Sequence, residues 1–332
     1  MLPVFADPKT DVVFKRIFGA EAHKDLLVAL LNDLLELSGT RRIRSVQHLS
    51  LEQHVSVPKS KLSLVDVKCT TASGRRFVVE MQVLPVEGFE KRVVYNASKA
   101  YVIQAGEGYQ YHRLCDVVAV TICNFKLWPK KLVDGGYKVP MLSRWRMQEQ
   151  QSGHKGLRQV QYAFLELPKY KAGKDPETLI DKWAYFFREA KNLEVIPPAL
   201  EEGPVREALE IARKSTFTKA EWEEYERSKM AEQDELGRIS LAHRQGEHRG
   251  RIEGKIEGKI EGKIEGKIEG KIEGRAEEAA RAVLTVLRIR GIAVPDAARE
   301  RILAEKEPLL LERWHERASL AESVDEVIDE PS

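Results

Sequence analysis

This chain's patterning predicts an α/β fold: a mixed sheet flanked by helices, followed by a mostly helical C-terminal extension. Three observations carry that expectation. Asp116–Cys123 (D-V-V-A-V-T-I-C) is a continuous apolar run of the kind seen in a central strand buried on both faces. Leu64–Thr70 and Arg76–Leu84 are rich in β-branched and apolar residues, and the Ala-Ser-Gly between them is turn chemistry. Leu26, Leu27, Leu30, Leu31, Leu34 and Leu35 recur at helical spacing and mark a core-facing stripe.

The remaining elements follow in order. Asp7-Pro8-Lys9 with Thr10 before Asp11 reads as a helix start, and Asp11–Gly19 has Val12, Val13, Ile17 and Phe18 to bury before Gly19 breaks it. The leucine helix runs from about Ala22 to Leu37. Strand signals lie near Ile43–Val57, ahead of the hairpin. Glu87–Gly106 is helical, with Val93, Val94, Ala97 and Tyr101 at helical spacing. Asp116–Cys123 and Gln159–Leu167 supply further strands.

A chain of 332 residues has room for one full α/β domain and an appendage. Its formal net charge of +2 excludes a global field as the source of any attraction to nucleic acid, so local basic clusters would have to supply it. Cys69, Cys115 and Cys123 fall in expected strands without Cys-x-x-Cys spacing, which predicts buried free thiols in a reducing compartment. His23, His48, His54 and His112 show no ligand spacing. There is no charged-then-apolar leader and no run of about 20 apolar residues, so the expectation is a cytoplasmic protein without a membrane span.

The hairpin is where chemistry enters. With the turn centred on Ser73, Val67 faces Val79, Val65 faces Met81 and Asp66 faces Glu80. Alternation puts Val65, Val67, Cys69, Phe77, Val79 and Met81 on one face, and Asp66, Lys68, Val78, Glu80 and Gln82 on the other. Directly opposed like charges are destabilising at a Cβ separation of about 5 Å. A divalent cation between the two carboxylates would convert that repulsion into binding. The plainer alternative is a solvated charged face, neutralised by Lys68 or Arg76.

Six segments in order resemble the PD-(D/E)XK nuclease superfamily, in its branch of bacterial recombination-promoting nucleases and transposase-like proteins. They are D-V-V-F-K-R-I-F-G (Asp11–Gly19), L-L-V-A-L-L-N-D-L-L (Leu26–Leu35), L-V-D-V (Leu64–Val67), G-R-R-F-V-V-E-M-Q (Gly74–Gln82), R-V-V-Y-N-A-S-K-A-Y (Arg92–Tyr101) and F-L-E-L-P-K-Y (Phe164–Tyr170). The resemblance implies a restriction-endonuclease-like core of order αβββαβ. It implies Mg²⁺ held by Asp66 and Glu80, with the third catalytic position taken by Gln82 where Lys is usual. Oxygen ligands of this kind suit Mg²⁺ or Mn²⁺. Lys15 and Arg92 also match the family. Together with Lys59 and Lys61 they are candidates for phosphate contacts. Lys59 and Lys61 could equally keep a loop soluble, and Arg92 could instead pair with an acid of the site.

Beyond residue 170 the character changes. Leu179–Ala190 is an aromatic-rich helix expected to pack on the core. Arg251–Gly274 is one R-I-E-G followed by five copies of K-I-E-G. Glycine in every fourth position costs about 1 kcal/mol each in a helix, and each i,i+4 charged pair repels. The isoleucine stripe also advances about 40° per copy. The repeat is therefore expected to be weakly helical or disordered alone, serving as a spacer or a self-association arm. In the tail, Ala280, Val283, Leu284, Val286 and Leu287 predict an amphipathic helix ended by Gly291, with Leu309–Leu311 and Trp314 as further anchors. The expected division is a nuclease-like domain at 1–200, a helical connector at 201–250, the repeat arm at 251–274 and a small helical tail domain at 275–332. The function implied is a Mg²⁺-dependent DNA endonuclease promoting recombination or acting on mobile DNA, with a homo-oligomer formed through the C-terminal helices. The alternative is an inactive nuclease-fold DNA-binding or scaffold protein, for which Gln82 is the best support.

Overall fold

The computed structural model describes residues 4–53, 63–105 and 110–329. Two compact units divide the chain, Met1–Glu235 and Leu236–Ser332.

The first unit opens with α1 (Asp11–Phe14), whose last turn continues in π register over Lys15–Gly19, and with α2 (Lys24–Leu34). Val13, Phe14, Ile17 and Phe18 are buried here, whereas Val12, expected inside, is only half-buried. Strands β1 (Gln47–His48), β4 (Val67–Thr70), β5 (Arg76–Gln82), β6 (Val117–Cys123), β7 (Leu142–Trp145) and β8 (Val160–Glu166) form one sheet. Its order is β1-β4-β5-β6-β8-β7, and a separate pair joins β2 (Glu52–Gln53) to β3 (Ser63–Leu64). The centre, β5-β6-β8, is parallel, and the flanks β1-β4-β5 and β8-β7 are antiparallel. Helix α3 (Phe89–Val102) connects β5 to β6. The expected order of helix, three strands, helix and strand is thus present. The short edge strand β7 carries no periodic signal and was not anticipated. The expected strand residues 54–57 and the helix end at Gly106 lie outside the described residues.

Both faces of the sheet are covered, which explains why β6 is buried along its whole length. One face carries Val67, Phe77, Val79, Val120 and Leu165 against α1, α2 and α4 (Leu179–Glu189), with Trp183, Phe186 and Phe187 filling the centre. The opposite face carries Val78, Ala119 and Phe164 against Phe89, Val93 and Ala97 of α3. Val94 points away and is 48% exposed, one residue and about 100° from Val93. Helix α5 (Pro204–Ile211) and Tyr225 belong to the first of these cores, so that core continues past residue 200.

Helix α6 covers Lys219–Ile289. Thr218 and Glu221 start it with reciprocal bonds: the Glu221 amide donates to Thr218 Oγ1 and the Thr218 amide to Glu221 Oε2. Within the chain the repeat is helical throughout, because a helix nucleated elsewhere propagates at the cost of one residue at a time. Its isoleucines remain about half exposed. In the second unit, Ala280, Val283 and Leu287 pack with Ile302 of α7 (Asp296–Ala304), Leu311 and Trp314 of α8 (Pro308–Ala318) and Val327 of α9 (Asp325–Ile328). Leu309 is exposed. Gly291 takes a positive φ of 75° after the helix, as a left-handed stop requires.

The three cysteines are free. Cys69 and Cys123 lie in β4 and β6, where burial pushes both thiols up to about 12, so neither is a nucleophile at neutral pH. Cys115 precedes β6 and is not in a strand. Among the described residues, no helix is long and apolar enough to cross a membrane.

Candidate active site

The site forms where β4 runs out beside the longer β5. Pairing follows the expected register, Val67 to Val79, Lys68 to Val78 and Cys69 to Phe77. One step further, the chain bends at Asp66 rather than continuing as strand. The Met81 amide has lost its neighbouring strand there, and it donates instead to Asp66 Oδ2 at 2.7 Å. The bend also breaks the alternation. Val65 was expected on the face of Val67, yet it packs with Val78 and α3 on the other face.

Glu80 lies beneath α3 and is only 6% exposed. Asn96 donates from Nδ2 to its Oε1 at 2.6 Å, and Arg92 stands 4.0 Å from its Oε2. The Oε2 atom is buried with no hydrogen-bond partner. A buried carboxylate oxygen without a partner is costly, so such an atom calls for an explanation, an ion among them. The solvated charged face of the plainer alternative is not what folds, since Lys68 is buried as well.

The electrostatics follow from burial. Desolvation raises the Asp66 carboxyl to about 6; Met81's hydrogen bond opposes it, while the charges of Asp11 and Glu80 push it further up. Lys15 works in the opposite direction, and its Nζ donates to Asp11 Oδ2 at 2.8 Å. Glu80 is also raised, by desolvation against the Asn96 hydrogen bond and the Arg92 charge. Lys15 therefore acts on Asp66 and Arg92 on Glu80.

Gln82 shares Glu80's face, but its amide is engaged. Arg92 donates to Gln82 Oε1, and Gln82 Nε2 donates to the Leu84 carbonyl at 2.8 Å. Asp66, Glu80, Gln82, Lys15 and Arg92 are thus gathered around one sheet end. Lys59 and Lys61 lie outside the described residues. Asn96 was missed in the sequence, although it sits in the recognised segment Arg92–Tyr101, one helical turn past Arg92.

A family model described as PD-(D/E)XK nuclease family transposase matches residues 8–242, well over half of the chain. The chain belongs to this family. No curated protein and no solved structure matches it. The sheet and its flanking helices are the nuclease-type α/β architecture the PD-(D/E)XK family implies. In nucleases of this family a divalent metal is usual. Among the described residues no cluster of three or more His, Cys, Asp or Glu side chains is assembled to hold one. The donor set is two carboxylates, which suits Mg²⁺ because that ion is commonly held by one or two carboxylates and completed by water and substrate phosphate. Glu80 Oε2, which has no hydrogen-bond partner, fits the same role.

Proposed function

We propose that this nuclease-family transposase hydrolyses phosphodiester bonds in DNA as a Mg²⁺-dependent endonuclease, with Mn²⁺ as a substitute, and serves recombination or acts on mobile DNA. The observation that supports this reading most is the raised pair of half-buried Asp66 and buried Glu80, with Glu80 Oε2 left without a hydrogen-bond partner. Asp66 and Glu80 would hold the cation. When bound, the cation neutralises phosphate charge and acidifies the attacking water. Asn96 keeps the Glu80 carboxylate oriented, and the Asp66 carboxylate is oriented by the Met81 amide. Arg92 and Lys15 supply positive charge beside the acids for a phosphate. Gln82 cannot take a proton, and it can orient water only once its amide is released by Arg92 or by the Leu84 carbonyl.

That engaged amide favours a second reading, a nuclease fold retained as a DNA-binding or scaffold protein that self-associates through its C-terminal helices. Nicking of supercoiled plasmid separates the two. Wild type should nick in Mg²⁺, while Asp66→Ala and Glu80→Ala should each lose at least a hundredfold in rate. Equal nicking by all three proteins, or none by wild type across Mg²⁺ and Mn²⁺, removes the enzyme reading.

A further inference from the structure

Residues 126–138, K-L-W-P-K-K-L-V-D-G-G-Y-K, leave the sheet immediately beside the candidate active site. The Asn124 amide donates to the Gln82 carbonyl at 2.9 Å, and Gln82, Cys123 and Glu166 are in register across the parallel strands. The root of the segment covers Glu80's face, since Trp128 packs edge-on against Phe164 and Phe125 against Phe89 of α3.

The segment folds back on itself as a ribbon. Lys131 bridges Tyr137 antiparallel, the Lys138 amide donates to the Lys130 carbonyl at 2.9 Å, and the Leu132 amide donates to the Gly136 carbonyl at 2.7 Å. Gly135, at φ 79°, makes the turn. Both legs are clamped at their base by one buried ion pair. Glu166 Oε2 accepts the Leu127 and Trp128 amides at 2.7 and 3.2 Å on the outgoing leg. Lys169 Nζ, 2.6 Å from Glu166 Oε1, donates to the Val139 carbonyl at 2.8 Å on the returning leg.

The ribbon's surface is cationic along its length. It carries four lysines and one acid, Asp134, whose Oδ1 accepts the Gly136 amide. Lys126, Lys130, Lys131 and Lys138 are all exposed. The ammonium groups of Lys126, Lys131 and Lys169 stand 5.1 to 5.9 Å from the Tyr137 ring centroid, and Lys126's hydrogen bond holds the Tyr137 hydroxyl below its ordinary value. Its apolar tip is bare: Leu132 is 50% exposed and Val133 fully so. Cationic flanks match the phosphate backbone, and an exposed aliphatic tip matches the wedge that DNA-bending proteins place between base steps.

We infer that this ribbon is a duplex-DNA engagement element, in which its lysines contact phosphates of both strands and Leu132 and Val133 enter the groove. The inference rests on the nuclease reading for its substrate class. The clamped base fixes the ribbon relative to Gln82, so duplex held by it lies at the catalytic end of the sheet.

The test is fluorescence anisotropy of the full chain on a labelled 30-base-pair duplex in EDTA, across a salt series. Lys130→Gln/Lys131→Gln should reduce the dependence of log affinity on log salt by about one for each phosphate that is no longer neutralised. Leu132→Ser/Val133→Ser should weaken duplex binding at least tenfold while leaving a single strand of the same length bound as by wild type. Both variants replace exposed side chains, and circular dichroism checks that they fold. Unchanged duplex affinity and salt slope in both variants would overturn the inference, as would wild type that does not bind duplex. Plasmid nicking is read in parallel. Wild type that nicks, alongside ribbon variants that bind and nick equally well, sinks the ribbon and spares the nuclease. Binding that depends on the ribbon without any nicking does the reverse.

Discussion

Asp66 is folded into surroundings that oppose its own ionisation. Its carboxyl sits at about 6 against an ordinary value of 3.8, so the folded chain holds a proton there that the unfolded chain releases. The sign follows by linkage: this contribution to stability is complete below about pH 4 and is lost as pH rises through about 6. At one pKa unit per 1.36 kcal/mol, the cost above that window is at most about 3 kcal/mol, less whatever solvent screens. Asp66→Asn keeps an acceptor for the Met81 amide and removes the charge. In chelator, its melting temperature should exceed that of wild type at pH 7, and the gap should close below pH 4; a wild type that is more stable at pH 7 contradicts the burial argument. Asn96→Ala, which removes the Glu80 donor, should weaken Mg²⁺ binding about 10- to 100-fold by titration calorimetry. An unchanged affinity would mean that Glu80 is oriented without it. The hairpin register from Val67–Val79 to Thr70–Arg76 was legible because a turn at Ser73 and strict alternation determine it. Asn96 was not, since a mid-helix asparagine looks like a poor helix former until the strand beneath it is known. Val65 was misplaced for a related reason: alternation holds only while the chain stays extended, and the bend at Asp66 ends it.

At the scale of elements, Glu166 and Lys169 join β8 to both legs of the ribbon, and both side chains are almost wholly buried. Removing one member of such a pair leaves the other charge stranded, which costs about 3–5 kcal/mol. Glu166→Ala should lower stability by that amount in urea denaturation, and its loosened ribbon should become the first site of limited proteolysis. A loss below about 1 kcal/mol would show that the pair is not the clamp. The segment F-L-E-L-P-K-Y was recognisable in the sequence, but its purpose was not, because the amides it holds lie some 40 residues earlier. Strand β7 escaped notice as four residues on an edge, with Ser143 buried and Trp145 partly exposed. Propensity speaks only for the K-I-E-G repeat alone; within the chain, ordinary helical sequence at both ends spares it the cost of nucleation.

For the whole molecule, side chains gather into cores on the two sheet faces of Met1–Glu235 and a third core within Leu236–Ser332. We propose that these two units unfold separately. Calorimetry of the full chain should resolve two transitions, and ending the chain after Glu235 should abolish one and shift the other by no more than a few degrees. A single transition common to both proteins would contradict the division. The proposed boundary falls later than the expected residue 200 because Val205, Leu209 and Tyr225 are needed to close the first core.

None of the residues from Arg251 to Gly274 contributes to any of these cores. Each copy of the tetrapeptide is also a whole number of codons, so slippage during replication can add or delete one without a frameshift. Such an event changes the helix by about 6 Å and leaves both interiors intact. Length at this position is therefore free to drift between strains while selection acts on the folded parts, a mutational tolerance written into the helix itself.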